Sequence, residues 1–254
     1  MKALQLWRML LFLVLLLPTL AWSWEITGVP KEILSNLDNV LIAEAADCSP
    51  DVTKATLFSD SLDDRLQAAI KPFGYFHAEI IVTNADLVAS CKDLLIEVKL
   101  NQATLISGLT IELLGEGRTD VLLKKVIEKV PMKTGKMLKT FKYEQFKAQL
   151  LSQSHGMGYL DGHFKKSVLQ VDLDNNTADV VLVFDAGSLY HFDSLDFIQS
   201  EPFMDELLLN KMLNIKPGDR VMNDAIAKQI TILNDSLYFS QVTAKKVNKN
   251  HIYQ

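Results

Sequence analysis

Gly74-Tyr75-Phe76-His77-Ala78-Glu79-Ile80-Ile81-Val82-Thr83 marks a change of period. Before it, Leu62, Leu66, Ala69 and Ile70 recur at helical spacing. From His77 on, apolar and polar residues alternate, as in a half-buried strand. Glycine at 74 suits a helix stop, because it enters the left-handed region without a Cβ penalty. The same tag returns as Gly158-Tyr159-Leu160 and, less faithfully, as Leu237-Tyr238-Phe239. Its tyrosines lie 84 and 79 residues apart. Helical patterns precede each copy and alternating segments follow it. A period this long predicts tandem small domains, each with its own core.

The reading extends outward on both sides. The order predicted for the first domain is β-α-α-β-β. It has a strand from Trp24 to Thr27 and a helix over 30–46 carrying Ile33, Leu34, Leu37, Leu41 and Ile42. A second helix is capped by Ser61 with Asp64 three residues on. Two strands follow, the second alternating through Leu94, Ile96, Val98 and Leu100. The second domain repeats the order. Leu105–Leu114 is a strand, Thr119 caps a helix through Val130, and Thr140 opens another. Strands 164–171 and 178–184 close the domain, with Val180, Leu182 and Phe184 on one face. The third has a strand through Phe192, Leu195 and Phe197, a helix over 205–215 and a turn at Lys216-Pro217-Gly218-Asp219. Another helix carries Ile226, Ile230 and Leu233, and a strand spans 239–247. Only 16 residues follow Tyr238, so this domain is expected to lack its closing strand.

The first 23 residues read as a secretion signal. Lys2 and Arg8 precede an apolar run that Pro18 ends, and Ala21-Trp22-Ser23 offers the small residues of a cleavage site between Ser23 and Trp24. The whole chain carries a net charge of −5, which is not a nucleic-acid footprint. Export exposes the two cysteines, Cys48 and Cys91, to an oxidising compartment, where pairing is expected. A bridge closing that loop stabilises by about 4 kcal/mol in the chain-entropy picture. A redox or metal pair is the alternative, without CxxC spacing to support it.

The domain order, the tag and the export signal together resemble POTRA domains, the periplasmic modules ahead of outer-membrane assembly barrels. The motifs from Leu105 onward resemble the TamA family in particular. They are Gly115-Glu116-Gly117-Arg118-Thr119-Asp120, Tyr143-Glu144-Gln145-Phe146-Lys147, Ala186-Gly187-Ser188-Leu189-Tyr190-His191-Phe192 and the Lys216–Asp219 turn. The resemblance implies an α+β fold of tandem POTRA domains, each a three-stranded mixed sheet covered by two helices. Their spans would be 24–102, 103–186 and 187–254, the last incomplete and without the family's barrel. It puts the last strand of each sheet in the middle and leaves the other two as edges. It further implies a non-enzymatic array, without cofactors, on the periplasmic side of the bacterial outer membrane. Implied partners are a TamB-like periplasmic protein and outer-membrane clients such as autotransporters, with membrane attachment through the absent barrel. Strand addition at such an edge gives main-chain hydrogen bonds without demanding one sequence. The expected docking edge is His77, Ala78, Glu79, Ile80, Ile81, Val82 and Thr83; being covered by a neighbouring domain is its competing fate.

Two departures stand out. Leu237 replaces the tag glycine, which predicts strain if the left-handed cap persists. His191 stands where the family has Arg, which predicts a weaker polar contact at the domain junction. The tag residues Gly74, Tyr75, Gly158, Tyr159 and Tyr238 are expected to be structural, the tyrosines as packing residues. Other patterns carry little. Asp172–Asn176 lacks the glycine and final carboxylate of a calcium loop. His155 and His163 have no partner ligands, Gly115-x-Gly117 lacks the rest of a dinucleotide fingerprint, and no hydrolase or P-loop motif occurs. The Asn175 and Asn234 triplets matter only in a eukaryotic secretory route. The competing readings are a BamA-like or two-partner secretion transporter, and an exported enzyme with an unrecognised site.

Overall fold

The computed structural model describes residues 24–45, 52–83 and 94–247. Contacts divide the chain into two compact units, residues 1–104 with 173–176 and residues 105–172 with 177–254. The cleavage-site Ser23 and both cysteines, Cys48 and Cys91, lie outside the described residues.

In the first unit β1 (Trp24–Thr27) leads to α1 (Lys31–Ala45) and α2 (Val52–Ile70). The short 3-10 turn Lys71–Phe73 follows, then β2 (Glu79–Thr83) and β3 (Leu94–Lys99). The strand order is β1-β3-β2, with β3 parallel to β1 and antiparallel to β2. The last strand is therefore central, as expected. Leu94, Ile96 and Val98 point from β3 into a core shared with Ile33, Leu37 and Leu41 of α1 and Leu62, Leu66 and Ile70 of α2. The buried stripe of α1 is narrower than its apolar composition suggests. Positions 33, 37 and 41 repeat at i, i+4 and face inward, while Ile42 lies on the solvent side. Ser61 is not a cap. The helix begins at Val52, so Ser61 and Asp64 sit within it, where the backbone N–H groups already have helical partners.

The second unit opens with β4 (Leu105–Leu114) and the 3-10 turn Glu116–Thr119. Next come α3 (Val121–Glu128), α4 (Thr140–Gly156), β5 (His163–Asp172) and β6 (Thr177–Asp185). Its sheet repeats the arrangement as β4-β6-β5, parallel on one side of β6 and antiparallel on the other. Ala178, Val180, Leu182 and Phe184 of β6 are buried, against Leu123 and Val126 of α3 and Tyr143, Phe146 and Leu150 of α4. Phe164 meets Phe184 edge-on, with centroids 5.0 Å apart. The cap of α3 is Asp120, not Thr119. Asp120 Oδ1 accepts from the N–H groups of Leu122 at 2.7 Å and Leu123 at 3.3 Å, while Thr119 is held inside the preceding turn.

Residues 187–247 contribute α5 (Glu206–Met212), capped by Asp205, and α6 (Asn223–Asp235). The Lys216–Asp219 turn forms as read, with Asp219 N–H donating to Lys216 O at 3.0 Å and Gly218 at φ 88°. The strands expected at 192–197 and 239–247 do not form; a single bridge, His191 to Arg220, stands near the first. In both sheets the edge strands are defined by the ladder to a central last strand. No described segment offers these two stretches such a neighbour.

Candidate functional site

Each sheet has two edges, and they differ in how open they are. β1 is only four residues long, and Trp24 at its start donates from Nε1 to Asp38 Oδ1 at 2.9 Å. At the start of β4, Ile106 exchanges hydrogen bonds with the segment Gly135–Lys136, which covers that end of the edge. β5 is long, but its register shifts between Phe164 and Lys166, and Lys165 and Lys166 crowd the irregularity. Bulges and lysines are the usual guards of an edge. β2 has none of these: Glu79-Ile80-Ile81-Val82-Thr83 contains no proline, lysine or bulge. Among the described residues β2 has a strand neighbour on one side only, β3. His77 and Ala78 precede the strand and are fixed by their carbonyls, which accept from Asn101 Nδ2 and Gln67 Nε2.

The tags do two jobs. Gly74 and Gly158 both sit at φ 91°, each ending a helical segment. Each glycine carbonyl also receives the N–H of a residue five positions beyond the end of its sheet's central strand. Thr104 donates to Gly74 O at 2.8 Å, and Tyr190 donates to Gly158 O at 2.9 Å. The tag therefore anchors the chain as it leaves the sheet, a role the sequence pattern did not disclose. Tyr75 packs half-buried against the first core, and Tyr159 is 2% exposed. Tyr238, by contrast, is 63% exposed.

Leu237 keeps the left-handed conformation of the missing glycine, with φ 62° and its N–H on Asn234 O at 3.3 Å. Its side chain is 91% exposed, so it gains little packing in return. Leu237→Gly is therefore expected to stabilise the end of α6 by about 1 kcal/mol, since the left-handed penalty for an L-residue is of that order. Slower amide exchange over 230–237 would show it; unchanged or faster exchange would contradict it.

A polar joint links the second sheet to the residues after it. Arg220 Nη1 lies 2.7 Å from Asp120 Oδ2, Arg220 Nε donates to Met157 O, and its guanidinium stacks over the Tyr159 ring at 5.1 Å. Tyr159 donates from its hydroxyl to Asp120 Oδ2 at 2.8 Å. Asp120 thus caps α3 with one oxygen and binds Tyr159 and Arg220 with the other. Burial alone would raise its pKa. The hydrogen bonds from Tyr159, Leu122 N–H and Arg220, with the Arg220 charge, outweigh that and hold it below the usual carboxylate value. Burial, followed by the Asp120 contact, pushes the Tyr159 phenol up to about 12, so it remains a donor. His191, where the resemblance expects Arg, forms an isolated backbone bridge with Arg220. Around this joint Val221 N–H donates to Tyr190 O, Tyr190 OH to Asp161 Oδ2 at 2.6 Å, and Leu189 N–H to Glu116 Oε2 at 2.8 Å. Of the family-like motifs, Gly115–Asp120, Ala186–Phe192 and the end of the Lys216–Asp219 turn meet here; of Tyr143–Lys147 on α4, Tyr143 and Phe146 are buried in the core and Glu144 and Gln145 are exposed.

Among the described residues no group of histidine, cysteine and carboxylates could hold a metal, and no helix is long and apolar enough to cross a membrane.

Residues 23–100 match the family model described as POTRA domain, TamA domain 1. That span is a POTRA domain, with the central last strand and two covering helices expected of one. POTRA domains are non-enzymatic scaffolds. Among solved structures, the chain is similar to POTRA3-5 of BamA from Haemophilus influenzae, at 16% identity and a TM-score of 0.41, over 72% of this chain and 71% of that one. It is also similar to POTRA1-3 of Omp85 from Anabaena, at 14% identity and a TM-score of 0.34, over 87% and 86%. The N-terminal domain of Omp85 from Thermosynechococcus elongatus matches at 14% identity and a TM-score of 0.32, over 91% and 92%.

Proposed function

We propose that this chain is the periplasmic POTRA array of a TamA-like outer-membrane assembly factor. In this reading 1–23 is a cleaved export signal, Cys48 and Cys91 pair, and 24–102, 103–186 and 187–254 are successive POTRA modules. The array docks a TamB-like β-rich partner, autotransporter-type clients, or both, by strand addition at Glu79–Thr83. The observation that carries the reading is the β2 edge, which among the described residues has a strand neighbour on one side only, in the span that matches the TamA domain family. Edge pairing supplies affinity through the main chain and leaves side-chain demands loose, which suits a receiver of many unfolded strands.

Proline scanning tests it. Successive N–H groups of a strand point to opposite edges. Of Ile80→Pro and Ile81→Pro, one therefore removes an outward donor and the other breaks the ladder to β3. The first should keep its unfolding temperature and lose capture of the TamB-like partner by at least about tenfold; the second should unfold more easily. Capture unchanged in the variant that retains its stability would sink the docking edge.

A further inference from the structure

A second surface is distinguished by charge. The chain is acidic overall, yet 118–147 holds nine basic residues against three acidic ones. Within 129–142 there are five lysines, Lys129, Lys133, Lys136, Lys139 and Lys142, and no carboxylate. Nearby acids are largely committed: Asp120 to Arg220 and Tyr159, and Glu144 to Lys147 at 3.1 Å. Lys129, Lys133, Lys136 and Lys142 have no ion pair among the described residues. Lys129, Lys133 and Lys136 are exposed.

This array is held in place. Between α3 and α4 the chain is pinned from within by Met132 and Leu138, both buried. It is pinned along its backbone to β4. Ile106 N–H donates to Lys136 O at 2.9 Å, Gly135 N–H to Ile106 O at 2.7 Å, and Leu105 bridges Met137. The lysine spacing is therefore set by the fold. Pro131 and Met137 lie exposed among the lysines, giving a small apolar rim inside a cationic field.

We propose that the 129–142 surface docks on an anionic phospholipid bilayer. Two features favour lipid over an acidic protein. Every cation in the segment is lysine, which binds phosphate as a point charge and is depleted from protein interfaces, where arginine is enriched. The exposed apolar groups are flanked by long lysine stems that can lie along them while the ammonium groups reach headgroups. Electrostatic attraction of several lysines with shallow apolar contact gives reversible, salt-sensitive binding.

Vesicle co-sedimentation of the whole chain tests this. The lipids are pure phosphatidylcholine, or phosphatidylcholine with about one third phosphatidylglycerol. Partitioning should be at least about tenfold stronger on the anionic vesicles, and should collapse between about 50 and 300 mM salt. Replacing Lys129, Lys133, Lys136 and Lys142 by Glu should remove that preference. The same change at Lys211, Lys216, Lys228 and Lys245, which alters net charge equally, should keep most of it. If the first set fails to fold, Gln at the four positions gives a smaller loss in the same direction. Equal binding to both vesicle types, or equal loss in the two sets, would overturn the proposal. So would displacement by inorganic phosphate beyond the effect of matched ionic strength, or retention by immobilised polyglutamate without retention on vesicles.

Discussion

Arg220→Ala should destabilise the second unit by about 3 kcal/mol, the low end for removing one partner of a buried ion pair. The low end applies because Arg220 is still 21% exposed, whereas Asp120 is only 8% exposed. The loss has three parts. Asp120 keeps its cap and Tyr159 but loses its cation. Met157 O loses the Nε donor, and the Tyr159 ring loses the guanidinium stacked on it. Acidification separates the charge term. The folded pKa of Asp120 lies below its ordinary value of 3.8, so its contribution is fully present above that value and fades as pH falls through the folded value. In Arg220→Ala the depression shrinks, because burial is less opposed. The stability gap between wild type and variant should therefore narrow as pH is lowered below about 4. Denaturant titrations at neutral and acidic pH would show this; a gap independent of pH would mean that Arg220 acts through its bond to Met157 O and its contact with the Tyr159 ring alone. A cycle with Asp120→Asn should show coupling of about 1 kcal/mol or more.

The sheets were legible because period decides them. Alternation in Leu94–Lys99 and Thr177–Asp185 gave the buried faces directly, and the tag glycines Gly74 and Gly158 gave left-handed turns. What escaped was set by partners far away in sequence. Ser61 carries a capping pattern, but the helix already runs through it from Val52, and core packing of Leu62 and Leu66 overrides the local signal. Thr119 and Asp120 are both good caps; the choice falls to Asp120, whose second oxygen is claimed by Tyr159, 39 positions away, and by Arg220. Arg220 itself carried no signal beyond closing a turn. Phe192–Phe197 and 239–247 alternate as strands do, yet alternation describes a face, and a strand also needs a ladder. That β2 has a strand neighbour on one side only among the described residues follows from the sheet order, which no residue of the strand encodes.

Gly158→Ala should destabilise the joint by about 3 kcal/mol or more. Two costs combine. Alanine at φ 91° loses on the order of 1 kcal/mol because its Cβ meets the adjoining backbone. That Cβ would also stand 2.7 Å from Val221 O and 3.3 Å from Tyr190 O, both main-chain atoms. Neither can swing aside as a side chain would, because Val221 N–H is itself bonded to Tyr190 O and Tyr190 N–H to Gly158 O. Gly135 separates the two costs: it has φ 78° and nothing within 4 Å of an added Cβ. Gly135→Ala should therefore show the conformational penalty alone, and the excess in Gly158→Ala measures the clash. The excess should appear locally, as faster amide exchange at Tyr190 and Val221, whose donors close the joint. Equal destabilisation by the two substitutions would mean that the joint yields to the methyl group. The tag glycine would then be only a helix stop, and the hold on the chain beyond the second sheet would rest on the contacts of Arg220, Tyr190 and Leu189 with Asp120, Asp161 and Glu116.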